Sequence, residues 1–167
     1  MHVFEANDYI GGHTHTVDVH VNGKQHAIDT GFIVLNDWTY PNFQKLLREL
    51  KVATQPTEMS FSVCDHASDF EYSGSHLNGL FAQRRHIVSP KFWRMLRDIM
   101  RFNRDALRDL DEQRIDANIS LGDYLKKNHY SQPFIERYIV PMGAAIWSMP
   151  TAQMLQFPLL FFVRFFK

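Results

Sequence analysis

A carboxylate at position 5 constrains this chain more than any other residue. His2-Val3-Phe4-Glu5-Ala6 reads as a short apolar strand that closes on an acid, and only four residues precede that acid. The strand runs into Asn7-Asp8-Tyr9-Ile10-Gly11-Gly12-His13-Thr14-His15-Thr16, a turn built around paired glycines. In dinucleotide-binding folds an acid at the end of the second strand binds the adenosine ribose hydroxyls, about 20 residues after a glycine-rich phosphate loop. Here the acid is present without the loop. The expectation is a Rossmann-like segment that begins one βα unit late.

The pattern downstream is β-rich at first. Residues 14–21 alternate in places, Asn22-Gly23 is a strong two-residue hairpin turn, and 24–29 returns as a second strand. Thr30-Gly31-Phe32-Ile33-Val34-Leu35 is a glycine-hinged apolar stretch. Phe43, Leu46, Leu47 and Leu50 recur at helical spacing behind Pro41, which predicts a helix over 40–50. A second hairpin is expected from 60–63 and 70–72, turning at His66-Ala67-Ser68-Asp69.

After Pro90 the chain becomes helical. Phe92, Trp93, Leu96, Ile99, Met100, Asn103 and Leu107 mark a long amphipathic helix rich in arginine. Ser120 with Asp123 approximates a capping box. Residues 131–138 are expected to be helical, with Pro141, Gly143 and Pro150 breaking the pattern. Residues 152–167 are apolar almost all round, as in a buried helix whose packing partners lie further along a longer chain.

Composition excludes several classes. Eighteen basic and eighteen acidic side chains cancel, so the composition gives no electrostatic footprint for nucleic acid. The lone Cys64 allows no internal disulfide and fits a reducing cytoplasm. The apolar run 157–163 is interrupted by Pro158 and falls far short of the roughly 20 residues that span a bilayer.

The spacing Glu5-Ala6-x-Asp8-x-x-Gly11-Gly12-x-x-x-Thr16 resembles the second-strand motif of the FAD-dependent amine oxidase and phytoene desaturase-like flavoproteins. Ile28-Asp29-Thr30-Gly31-Phe32 resembles the segment those enzymes place against the flavin. The stretches 29–42, 55–63, 77–85, 92–103 and 141–148 are similar to a bacterial subfamily of predicted NAD/FAD-binding, amine-oxidase-like proteins. The resemblance implies an α/β parent, α+β in this fragment. Residues 1–38 would be a partial Rossmann-like FAD-binding segment, and 39–167 a substrate-domain-like portion, largely helical after residue 90.

It also implies FAD as cofactor, with hydride removal from a C–N or C–C bond of a small-molecule substrate. The cofactor-binding residues it implies are Glu5, Ala6, Gly11, Gly12, His13, Thr14, Thr30, Gly31 and Phe32. Each suits the task. A strand-end carboxylate can accept two hydrogen bonds from vicinal ribose hydroxyls. Paired glycines let backbone amides approach a pyrophosphate or the flavin. His13 stands where relatives commonly carry a basic residue, and its charge is weaker and pH-dependent. Gly31 would let the main chain pass close to the isoalloxazine ring. By that resemblance the glycine-rich unit before Glu5 and the family's portion after Lys167 are expected to be lacking. The isolated chain is therefore expected to bind FAD weakly or not at all, to be inactive alone, and to self-associate through exposed apolar surface.

Other candidates are weaker. His13, His15, His20 and His26 could approach one another, but no cysteine or carboxylate pattern supports a metal site. Arg84-Arg85-His86 reads as a solvated surface turn, as does the arginine series Arg94, Arg97, Arg101, Arg104 and Arg108 along the long helix. Trp147 reads as a core residue, and Cys64-Asp65-His66 as a poor catalytic set because Asp65 would face away from Cys64. No acid, base or nucleophile can be named. The rival to a flavoenzyme fragment is a non-catalytic interaction module that docks through the helical part and the aromatic tail.

Overall fold

The computed structural model describes residue 2 and residues 4–167, and its backbone gathers into two compact units, Met1–Glu58 and Met59–Lys167. Helices and two small antiparallel sheets make it a mixed α+β chain. Among the described residues no parallel sheet is formed.

In the first unit, β1 (Thr16–Val21) pairs antiparallel with β2 (Lys24–Asp29), in a register from Thr16↔Asp29 to Val21↔Lys24. The turn between them places Asn22 at φ 51° and Gly23 at φ 75°. Positive φ at both positions is the type I′ geometry, whose twist matches that of paired strands. At the open end Thr16 Oγ1 donates to Asp29 Oδ1 at 2.7 Å. Helix α1 (Pro41–Glu49) starts at Pro41, whose missing N–H is not needed in a first turn. The strand expected over 2–6 is not found. Val3 lies outside the described residues, while His2, Phe4, Glu5 and Ala6 are irregular. A strand needs a neighbour for its N–H and C=O groups, and none among the described residues pairs with this segment.

In the second unit, β3 (Ser62–Asp65) pairs with β4 (Phe70–Ser73) across a turn fastened by Asp65, which accepts from Ala67 N–H and the Ser68 hydroxyl. Helix α2 (Leu77–Leu80) and a 3₁₀ turn (Arg84–Val88) lead to α3 (Pro90–Asp111). Ser89 caps α3, its hydroxyl accepting from Phe92 N–H. Then follow α4 (Leu121–Lys127), α5 (Gln132–Phe134), a π turn (Ile135–Ile139), α6 (Val140–Trp147), α7 (Thr151–Met154) and α8 (Leu159–Phe165). At α4 the Ser120 half of the expected capping box is formed, while the Asp123 carboxylate meets the Ser120 hydroxyl rather than its backbone N–H. Ser120 Oγ accepts from Asp123 N–H at 3.0 Å and donates to Asp123 Oδ2 at 2.7 Å.

The core forms where α3, α4, α5, α6 and α8 converge on Met95, Phe102, Leu121, Leu125, Phe134 and Phe162. The helix expected after Pro90 is there, but its buried face differs from the expectation. Phe92, Met95, Asp98, Phe102 and Ala106 point inward, while Trp93 and Met100 are exposed. An acid on the core face hid that stripe from an apolar-periodicity reading.

Pro141 and Gly143 do not break the chain, contrary to the sequence expectation. The helix continues through a π turn, and the Arg137 carbonyl that Pro141 cannot serve accepts from the Tyr72 hydroxyl at 2.9 Å. Gly143 marks a helix crossing, since a Cβ there would lie 2.8 Å from Met154 Sδ and 3.1 Å from Phe162 Cε2. The tail is also not one helix. Pro158 divides α7 from α8, and Leu159, Phe162 and Val163 of α8 are buried within this same unit, where Phe162 meets Phe102 and Trp147. Phe161, Phe165 and Phe166 remain on the outside.

Candidate functional site

Antiparallel pairing brings two of the three candidate segments together. The hairpin ladder continues past Thr16↔Asp29, with Thr30 N–H and Oγ1 both donating to the His15 carbonyl at 2.7 and 3.0 Å. One residue on, Gly31 lies so close to the backbone of His13 and His15 that a Cβ would collide with the His13 carbonyl. Gly31 is thus required by close approach, and it seats the Thr30-Gly31-Phe32 segment beside the paired-glycine turn. Phe32 packs edge-on against Tyr40 and Phe43, each with centroids 5.5 Å away.

The glycine turn has its own lock. Gly11 at φ 131° and Gly12 at φ 60° occupy backbone regions that L side chains avoid, and the Gly11 carbonyl accepts from both Thr14 N–H and Thr14 Oγ1. A side chain at Gly11 would meet Thr14 O at 2.7 Å, whereas the space around Gly12 is open. The turn therefore presents a bare main chain at Gly12. Thr14 shapes the turn rather than pointing a hydroxyl outward.

Glu5 and Ala6 make local contacts. Glu5 Oε1 accepts from the Ala6 and Asn7 N–H groups, both at 2.8 Å, and the Asn7 bond followed by the Ala6 bond holds its carboxyl below the usual range. The acid stays ionised in an exposed bend, and Oε2 is the oxygen left to a ligand. No hydrogen bond among the described residues ties Glu5 to the glycine turn.

The second unit holds a cleft of about 1350 Å³ with an aromatic floor that includes Phe92 and Tyr130. His86 lines it, and the structure corrects the surface-turn reading of this residue. It is buried, stacked on Phe92 at 4.5 Å and tilted against Phe70 at 5.0 Å. Burial, then the Arg85 and Arg137 charges, push its pKa down. The partners come from β4 and α3, on either side in the sequence, so no local signal marks His86 as interior. Arg101 also leaves the solvated series. It pairs with buried Asp98 at 3.4 Å and lies 3.9 Å from the centroid of the Tyr130 ring, while Asp98 Oδ2 accepts from Ser131 N–H at 2.9 Å. Burial raises the Tyr130 hydroxyl to about 12.

Trp147 is a half-buried packing residue among Phe157, Phe162 and Phe165. Cys64 is exposed, with Sγ 3.9 Å from His66 Nε2, while Asp65 is engaged in its own turn. Among the described residues no three His, Cys, Asp or Glu side chains converge as a metal site would require. No described helix is long and apolar enough to cross a membrane.

A bare glycine turn with a backbone-locked glycine beside it, preceded by an ionised carboxylate, is a set of features suited to a dinucleotide cofactor. The model of the flavin containing amine oxidoreductase family matches residues 1–162, and the chain belongs to that family. No curated protein matches it.

Proposed function

We propose that residues 1–38 are the cofactor-facing segment of an FAD-dependent, amine-oxidase-like oxidoreductase, and that 39–167 supply part of its substrate-handling portion. The observation that carries this reading is Gly31, whose lack of a side chain lets the Thr30-Gly31-Phe32 backbone lie against the Gly11–His13 turn. When bound, FAD would accept a hydride from a C–N or C–C bond of a small-molecule substrate. The chain's own residues bind and orient. Glu5 offers Oε2 to the ribose hydroxyls, with Ala6 N–H helping to hold the carboxylate in place. Gly12 offers an unobstructed backbone, and Thr14 keeps the turn in shape. His13, next in line, adds a polar ring near the phosphates. Phe32, steadied by Tyr40 and Phe43, offers an apolar surface for the ring system.

Affinity in the isolated chain should be weak. The cradle stands on a two-stranded hairpin with every residue exposed, and such a hairpin is marginal in water. The single thiol, Cys64, suits a reducing cytoplasmic setting. Amide NMR shifts on titration with FAD test the reading. Shifts should centre on Gly12, His13 and Gly31, and Glu5→Gln should weaken binding about tenfold, a loss of about 1.4 kcal/mol. Shifts confined to other residues, or equal affinity in the variant, would sink it.

A further inference from the structure

We propose that the cleft of the second unit binds a small organic carboxylate with an apolar body, its charge anchored by Arg137. This stands on the second unit alone and does not depend on the flavin reading.

The charges in the cleft are unbalanced. Asp69 is paired with Arg85 at 2.9 Å, while Glu136 accepts from neutral Gln132 Nε2 at 2.6 Å and Asp123 from the Ser120 hydroxyl, so those two acids keep their charge and stand against a larger number of cations. Four cations also line the cleft: Lys91, Arg94, Lys126 and Arg137. Among the described residues none of the four has a carboxylate within ion-pair distance. Arg137 is the telling one. It is half-buried, its guanidinium stands 4.1 Å from the centroid of the Phe70 ring, and among the described residues its one polar side-chain contact is Ser68 Oγ at 3.5 Å, beyond which the Asp65 carboxylate acts on it only through space. Removing a cation from water without a counter-charge in contact is costly, and an arriving anion would offset that cost.

Two more groups in the same cleft lack partners. His86 and Ser131 are each more than nine-tenths buried, and His86 Nδ1 and Ser131 Oγ make no hydrogen bond. Buried polar atoms in native proteins are nearly always satisfied, so such a pair at one cleft points to a ligand that brings polar atoms.

The lining also defines the rest of the ligand. Phe92, Met95, Tyr130 and Ile135 give the cleft an apolar wall, which an inorganic anion would not use. A planar guanidinium matches a carboxylate through two parallel N–H donors. An aromatic or branched aliphatic acid satisfies both.

The experiment follows 4-fluorobenzoate by ¹⁹F NMR on the full chain, with neutral 4-fluorobenzamide as isostere and inorganic phosphate as competitor. The acid should bind about tenfold tighter than the amide, and Arg137→Gln should abolish that preference. Arg137→Lys should restore part of it. Should Arg137→Gln fail to fold, the exposed rim pair decides, and the double variant Arg94→Gln, Lys126→Gln should weaken acid binding about threefold. Three outcomes would overturn the proposal: equal binding of acid and amide, rim and Arg137 variants that leave affinity unchanged, or phosphate displacing the acid at equal concentration.

Discussion

The two hairpins share a topology and differ in what holds them. Strands β1 and β2 have six residues each and a full ladder, yet Val17 and Val19 are 37% and 39% exposed. Strands β3 and β4 have four residues each, yet Phe70 and Tyr72 are only 5% and 4% exposed, wedged against Phe92. The first hairpin therefore relies on main-chain geometry: a type I′ turn, the Thr16–Asp29 bond and a glycine seat. The second relies on side-chain burial against a helix. A hairpin of the first kind can present backbone to a ligand because little covers it, whereas one of the second kind serves as part of a wall.

Substitutions should separate the two kinds. Phe70→Ala is the largest expected effect, about 3–5 kcal/mol off the second unit in urea unfolding followed by circular dichroism, as for a buried phenylalanine. A loss below 1 kcal/mol would show that β4 is not part of the core. Gly31→Ala should come next, opening the first hairpin at its 13–15 edge by about 1–3 kcal/mol. Amide exchange should accelerate at Thr30 while the second unit's unfolding midpoint stays fixed; a shift in that midpoint would join what the comparison separates.

His86 gives the second hairpin's wall a pH response. Its pKa in the fold lies below the unfolded value of about 6.5, so below that pH the unfolded chain binds the proton more readily. Stability should be full above about pH 6.5 and decline as pH falls toward the lowered folded value. His86→Phe should flatten that part of the pH profile, and an unchanged slope would remove His86 from the account. The smallest effect is reserved for Val19→Ala, within about 0.5 kcal/mol, because the side chain is already partly in water.

Local chemistry made much of the fold legible. Asn22-Gly23, Pro41 and Ser120-Asp123 each declare a turn or a helix start through their own backbone demands, and each is found. Gly11 and Gly12 were legible as a turn for the same reason, whereas the neighbour that Gly31 admits proved to be the His13 backbone. What could not be read depended on partners distant in sequence. Asp98 is inward because Arg101 and the Ser131 amide meet it, and His86 is inward because Phe70 and Phe92 flank it. Neither reading follows from a periodicity that treats charged or ionisable residues as outward. Arg137 went unremarked because its lack of a carboxylate within ion-pair distance, among the described residues, is a fact of three dimensions.

Pro141 inverts the usual lesson about proline in a helix. By withholding an N–H from the Arg137 carbonyl it leaves an acceptor that the Tyr72 hydroxyl, 65 residues away, can occupy. The proline acts as a keyhole, and the hairpin is the key. Alanine at 141 would suit an isolated helix better, yet it would supply a rival donor in the same lock. Strengthening the helix would then weaken this tie to the strand, leaving the burial of Phe70 and Tyr72 to hold it.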